Sequence, residues 1–169
     1  SWVIKNLLEQ GHTVHATVRD LKKKHSFAHL DKIAAETAGT LKLFKANLLE
    51  PHSFDDAMQG CEIVLHMASP FVVSNFKDAV KDIIEPAILG TENVLNSVNK
   101  TDSVKRVIVT SSIAAAYGDA IDIQHTVKNE FDESHWNTTS SETHQPYPYS
   151  KVIAERKAWE MQKAQQRWD

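Results

Sequence analysis

Two serines, a tyrosine and a lysine form the most specific chemical pattern in this sequence. Thr110-Ser111-Ser112 closes an apolar run, and Tyr147-Pro148-Tyr149-Ser150-Lys151 begins 35 residues after Ser112. A Tyr four residues before a Lys on one helix places both side chains on the same face. A free phenol, with a pKa near 10, exchanges protons poorly at neutral pH, and a neighbouring ammonium helps by stabilising the phenolate. A Ser hydroxyl at a strand tip can bind the same substrate oxygen. Together the three groups suit moving a proton to or from an oxygen while a hydride moves at the attached carbon. Tyr-x-x-x-Lys alone often means an aromatic beside a solvated lysine, so the serines and the strand–helix setting carry the specificity. Tyr149 has the wrong spacing to Lys151 for this role.

The elements that would position these groups alternate along the chain. Trp2, Val3, Leu7 and Leu8 form a helix stripe that ends at Gly11, a residue able to take φ > 0. Strands are predicted at Thr13–Val18, Leu41–Ala46, Glu62–Ala68 and Arg106–Thr110. The third is a nearly continuous apolar run of the kind found in central parallel strands covered on both faces. Between them, a short helix around Leu30–Ala35 closes near Gly39, and Ser53 is the predicted N-cap of a helix through Met58. A long helix from about Asp78 to Val98 contains Pro86, which would kink it or mark its start. A looser stretch runs from Gly118 to Pro146, and a last helix starts with Pro148 at its first position. This αβαβαβαβα order predicts an α/β fold, a doubly wound parallel sheet of the Rossmann type in one domain over residues 1–169. In such a sheet the Ser and Tyr/Lys groups lie where ligands bind, outside the carboxyl ends of the strands.

Composition narrows the function classes. Of 169 residues, 41% are hydrophobic and 24% charged, an ordinary balance for a globular domain. Nineteen Lys and Arg against 22 Asp and Glu give a net charge of −3, which argues against a broad nucleic-acid or membrane surface. The single Cys61 excludes an internal disulfide and a thiolate-rich metal site, and makes a reducing cytoplasm the natural compartment. Nine His include no H-x-x-x-H or H-E-x-x-H pair on a predicted helix, so no zinc site is expected. His125, His135 and His144 fall in the loose stretch and are expected to be solvated, while His66, in an apolar run, is expected to pack in the core.

Several strings, in order, resemble one family: L-L-E-Q-G-H-T-V-H-A-T-V-R-D (7–20), A-N-L (46–48), F-D-D-A-M-Q-G-C (54–61), V-L-H-M-A-S-P (64–70), E-P-A-I-L-G-T-E-N-V-L (85–95), R-V-I-V-T-S-S (106–112) and Y-P-Y-S-K-V-I-A-E-R-K-A-W (147–159). The chain is similar to extended short-chain dehydrogenase/reductases of the epimerase/dehydratase superfamily. It looks nearest to the dihydroflavonol reductase, cinnamoyl-CoA reductase and yeast-type ketone/aldehyde reductase branch. The resemblance implies that Ser112, Tyr147 and Lys151 are catalytic, with Ser111 the alternative serine. It implies a nicotinamide cofactor, and Arg19 at the end of the first predicted strand then favours NADP over NAD, because an Arg there accommodates a 2′-phosphate. Asp20 pulls the other way, since an acid there can bind a ribose hydroxyl. Lys22, Lys23 and Lys24 read as a solvated loop. By resemblance, Asn47 (usually Asp in the family) and Leu48 line the adenine, and Ala68 and Ser69, with Pro70, let the cofactor approach the backbone. Tyr147 and Lys151 also contact the cofactor.

Two departures shape the expectation. The family's glycine-rich turn, which binds the pyrophosphate at a helix N-terminus, is absent, because Gly11, Gly39, Gly60, Gly90 and Gly118 lie far apart. The resemblance would place that turn and a first, mid-sheet strand just before Ser1, and a substrate-binding half after residue 169. A fragment with both ends missing is therefore expected, inactive and unable to hold cofactor alone. Tyr117 also stands where plant dihydroflavonol reductases carry a substrate-contacting Asn, which favours a broader ketone or aldehyde substrate over a flavonoid. The expected activity is carbonyl reduction by NADPH, with a small-molecule carbonyl as partner. The alternatives are an NAD-dependent nucleotide-sugar epimerase or dehydratase and a non-catalytic dinucleotide sensor. In the family the last helix often helps to form a homodimer, of which this sequence alone carries no sign.

Overall fold

The computed structural model describes residues 1–69 and 76–169; Pro70 lies outside them. The elements run α1 (Trp2–Glu9), β1 (Thr13–Val18), α2 (Ala28–Ala35), β2 (Thr40–Lys45), α3 (Asp55–Met58), β3 (Ile63–His66), α4 (Glu85–Lys100), β4 (Arg106–Val109) and α5 (Pro146–Lys163). This is the alternation that the apolar pattern predicts. No helix among the described residues is long and apolar enough to cross a membrane.

The strands form two parallel pairs. β1 lies beside β2 with Thr13 opposite Thr40 and Val18 opposite Lys45. β3 lies beside β4 with Ile63 opposite Arg106 and His66 opposite Val109. No described strand joins the pairs into one sheet. Parallel pairs with helices between them agree with the Rossmann-type sheet expected to lack its first strand.

α4 carries the core. Its buried residues Ala87, Gly90, Thr91, Val94, Leu95 and Val98 recur at three- and four-residue steps, which makes one continuous stripe. Leu95 and Val98, both fully buried, pack with Phe54 and Met58 from the α3 region and with Ala158 of α5. Trp168 closes this cluster, its indole N–H donating to Asn99 Oδ1 at 2.8 Å.

Several boundaries differ from the sequence reading for identifiable reasons. α4 is preceded by a π-helical turn, Val80–Ile84, and Pro86 falls in its first turn, where a missing N–H costs nothing. Ser53 is not an N-cap. Phe54 takes that position, and the Ser53 hydroxyl donates to the Asn47 carbonyl at 2.7 Å. Pro146, not Pro148, opens α5. Trp2 does not join the buried stripe of α1: Leu8 is fully buried, whereas Trp2 stands in solvent under the Lys5 ammonium, 5.3 Å from its ring. β3 is not covered on both faces, since Ile63 is 58% exposed. Gly11 does take a left-handed φ of 83° past the end of α1. Gly39 has a separate reason to lack a side chain. A Cβ there would lie 2.6 Å from the His12 carbonyl oxygen and 2.7 Å from Leu8 Cα, because β2 begins pressed against the end of α1.

Candidate active site

The carboxyl ends of β3 and β4 and the first turns of α5 converge. α5 starts after Gln145, a left-handed residue (φ 55°) whose side-chain amide donates to Asp119 Oδ1 at 2.7 Å and accepts from Ser140 Oγ at 3.0 Å. Those two bonds hold the backbone turn that launches Tyr147 and Lys151. One helical turn apart, these two meet as the spacing predicts: Lys151 Nζ lies 5.0 Å from the centroid of the Tyr147 ring. The ammonium also donates to Ser69 Oγ at 2.5 Å. Lys151 is only 9% exposed. Its removal from water lowers its pKa from the ordinary lysine value.

Ser69 follows β3, and sequence reasoning treated it only as a small residue beside the cofactor. Its tie to Lys151 spans 82 residues of chain and leaves no local signal. His66, at the end of β3, is 7% exposed, and its pKa is pushed down to about 4 by burial first and by the Lys151 charge second. It is packed, as expected, and also lines a recess with Leu48, Ser69, Ser111, Lys151 and Glu155.

The serine pair separates in role. Ser112 has extended backbone (φ −150°, ψ 148°) and caps a 3-10 turn, Ile113–Ala115, by accepting the Ala114 N–H at 3.2 Å. That bond uses an oxygen lone pair, and the hydroxyl hydrogen has no acceptor among the described residues. The turn packs against α5. Ser111 instead donates its hydroxyl to Glu155 Oε2.

The remaining predicted residues lie along the same strand ends. Arg19 is exposed immediately after β1 and makes no hydrogen bond or ion pair among the described residues. An unpartnered guanidinium suits a phosphate monoester. Asp20 is occupied locally, Oδ1 accepting the Lys22 N–H at 2.9 Å, and Lys22, Lys23 and Lys24 are exposed. Asn47 is committed to its own loop: its amide donates to Glu50 Oε1 at 3.0 Å and accepts the Leu49 N–H at 3.2 Å. Leu48 turns toward α4, against the open face of Gly90. Ala68 and Ser69 are exposed, as close approach of a ligand to the backbone requires.

Two histidines of the loose stretch are not simply solvated. His144 Nε2 sits 3.0 Å from Asp119 Oδ2, and His135 Nδ1 sits 2.8 Å from Asp132 Oδ1. Tyr117 stacks on Phe131 with centroids 4.8 Å apart.

Known proteins resemble this chain in sequence and in fold. Anthocyanidin reductase of Arabidopsis thaliana is 43% identical over 170 residues, covering 96% of this chain and 48% of that protein. A cinnamoyl-CoA reductase of Medicago truncatula is 43% identical over 167 residues, covering 96% of this chain and 49% of that protein. The chain therefore spans about half the length of the curated relatives it matches. The solved structure of yeast methylglyoxal/isovaleraldehyde reductase Gre2 complexed with NADPH superposes with a TM-score of 0.76 at 27% identity, covering 96% of this chain and 49% of that one. Rossmann-type architecture and motif order agree with a family-wide match over residues 1–168, and on these grounds the chain belongs to the NAD dependent epimerase/dehydratase family.

Proposed function

We propose that the chain is the dinucleotide-binding part of an NADPH-dependent reductase acting on a ketone or aldehyde. The observation that carries this reading is the buried Lys151 ammonium, held by Ser69 and set against the Tyr147 ring. Tyr147 gives its phenolic proton to the substrate oxygen. Lys151 stabilises the negative charge left on the phenol, and the free hydroxyl hydrogen of Ser112 orients the same substrate oxygen. NADPH, when bound, supplies the hydride to the carbonyl carbon. The unpartnered Arg19 supports a 2′-phosphate over a bare ribose, with Asp20 already engaged in its own turn. The reductase names of the relatives, and the NADPH in the Gre2 structure, support the same class.

The test uses the protein that carries this chain. Tyr147→Phe is expected to slow carbonyl-dependent NADPH oxidation by at least about 100-fold while NADPH binding stays, the usual size of a general acid term. A rate near wild type would remove Tyr147 from the chemistry. Turnover of a nucleotide sugar with NAD, and none of a carbonyl with NADPH, would select an epimerase or dehydratase instead.

A further inference from the structure

The last backbone hydrogen bond of the β3–β4 ladder is Thr110 N–H to the His66 carbonyl, at 2.9 Å. The next begins the turn, where Ala115 N–H donates to the Ser112 carbonyl at 2.9 Å. Ser111, between them, makes no backbone hydrogen bond among the described residues. Its exposed side chain is what ties it down, through Glu155 Oε2. Glu155 follows Tyr147 and Lys151 on the same four-residue row of α5, and Trp159 continues that row. The carboxylate makes no ion pair among the described residues. One oxygen takes Ser111, and the other accepts the Trp159 indole N–H at 3.3 Å. On the far side the corner is held by Asn137, whose N–H donates to the Ala115 carbonyl at 2.8 Å and whose amide donates to the Ala114 carbonyl at 2.9 Å.

We infer that Glu155 is a positioning residue: by holding Ser111 it fixes the neighbouring Ser112 hydroxyl against Tyr147 and Lys151 on the same helix face. The inference rests on the reductase reading for what Ser112 does, but not for how the corner is held. α5 then supplies more than the phenol and ammonium. Its third turn reaches across to the strand tip and sets the distance between the two halves of the catalytic set. A carboxylate suits this role because it accepts two donors at once from two elements. Losing such a tie displaces a reacting group without removing it, which costs up to about 100-fold in rate.

The test compares Glu155→Ala, Ser111→Ala, the double variant and Glu155→Gln in the protein that carries this chain. Amide exchange at Ala114 and Ala115, both bonded to Ser112, reports the corner directly. It is expected to rise about tenfold in Glu155→Ala and in Ser111→Ala, the size of one lost hydrogen bond. Carbonyl reduction should fall about 10- to 100-fold in kcat with NADPH affinity unchanged. The double variant should lose no more than either single one, since both cut the same tie. Glu155→Gln keeps an acceptor for Ser111 and should restore exchange and rate. Unchanged exchange in both alanine variants, losses that multiply in the double variant, or a raised exchange with full activity while Tyr147→Phe is inactive would overturn the inference. If Glu155→Ala does not fold, Ser111→Ala, which removes one oxygen, decides the matter. A raised exchange with no carbonyl turnover in any form, wild type included, would sink the reductase reading and leave the Glu155 tie standing.

Discussion

Burial of His66 makes this protein sensitive to acid in a way that can be isolated. The ring is 7% exposed beneath Lys151, and its pKa is pushed from 6.5 to about 4. A folded value below the unfolded one means that the unfolded chain binds the proton first. The stabilisation is whole above pH 6.5 and drains as the pH falls to about 4, below which both states hold the proton. The gap between 6.5 and about 4 corresponds to about 3 kcal/mol. The perturbation is His66→Leu, an apolar side chain of similar volume in a recess whose walls include Leu48 and Val109. Urea unfolding at pH 7 and at pH 4 is measured for both proteins. The other histidines and the carboxylates contribute to both and cancel in the difference. Wild type should lose about 3 kcal/mol more than the variant over that range. Ring-proton NMR gives an independent reading, with His66 still neutral at pH 5. Lys151→Met should raise the His66 value only slightly, because burial is the larger cause and the ammonium the smaller. Equal acid losses in the two proteins, or a ring that titrates near 6.5, would refute the burial argument. A full return to 6.5 in Lys151→Met would show that charge repulsion, not burial, dominates.

Two further outcomes follow from geometry. Gly39→Ala forces a Cβ against the backbone of Leu8 and His12, which no side-chain rotation can relieve, and should destabilise the fold by about 1–3 kcal/mol, seen as a lower melting temperature; an unchanged melt would show that β2 can slide away from α1. Arg19→Ser removes a guanidinium that has no partner among the described residues and should raise the NADPH dissociation constant about 10- to 100-fold while leaving NADH unchanged; equal effects on both cofactors would take the guanidinium away from the 2′-phosphate.

How far the sequence could be read depends on whether spatial neighbours were also neighbours along the chain. Tyr147 and Lys151 sit on one helix, so a four-residue spacing is already a distance, and the structure keeps it. The strands were legible because short β-branched and apolar runs, three of them opening two residues after a glycine, suit strands better than helices. The cores of all four strand predictions hold, β1 at both ends and the others with ends shifted by no more than two residues. Local signals fail where two of them compete. Pro146 and Pro148 both suit a first helical turn. What decides between them is Gln145, forced left-handed by bonds to Ser140 and Asp119, five and 26 residues away. Ser53 had the right type for an N-cap but found a closer partner in the Asn47 carbonyl.

The same reasoning explains why the supporting residues of the site were invisible. Ser69 reaches Lys151 across 82 positions, and Ser111 reaches Glu155 across 44. Neither pair has a periodicity or composition that marks it, because both are created by the packing of α5 over the strand tips. Yet these ties give the short Tyr-x-x-x-Lys string its geometry. The phenol and ammonium would share a face on any exposed helix. Here Ser69 pins the ammonium, and Gln145 fixes where the helix begins. A Tyr/Lys pair without such ties would be the solvated pair that chance spacing produces, and in this protein the difference lies wholly in residues that sequence spacing does not reveal.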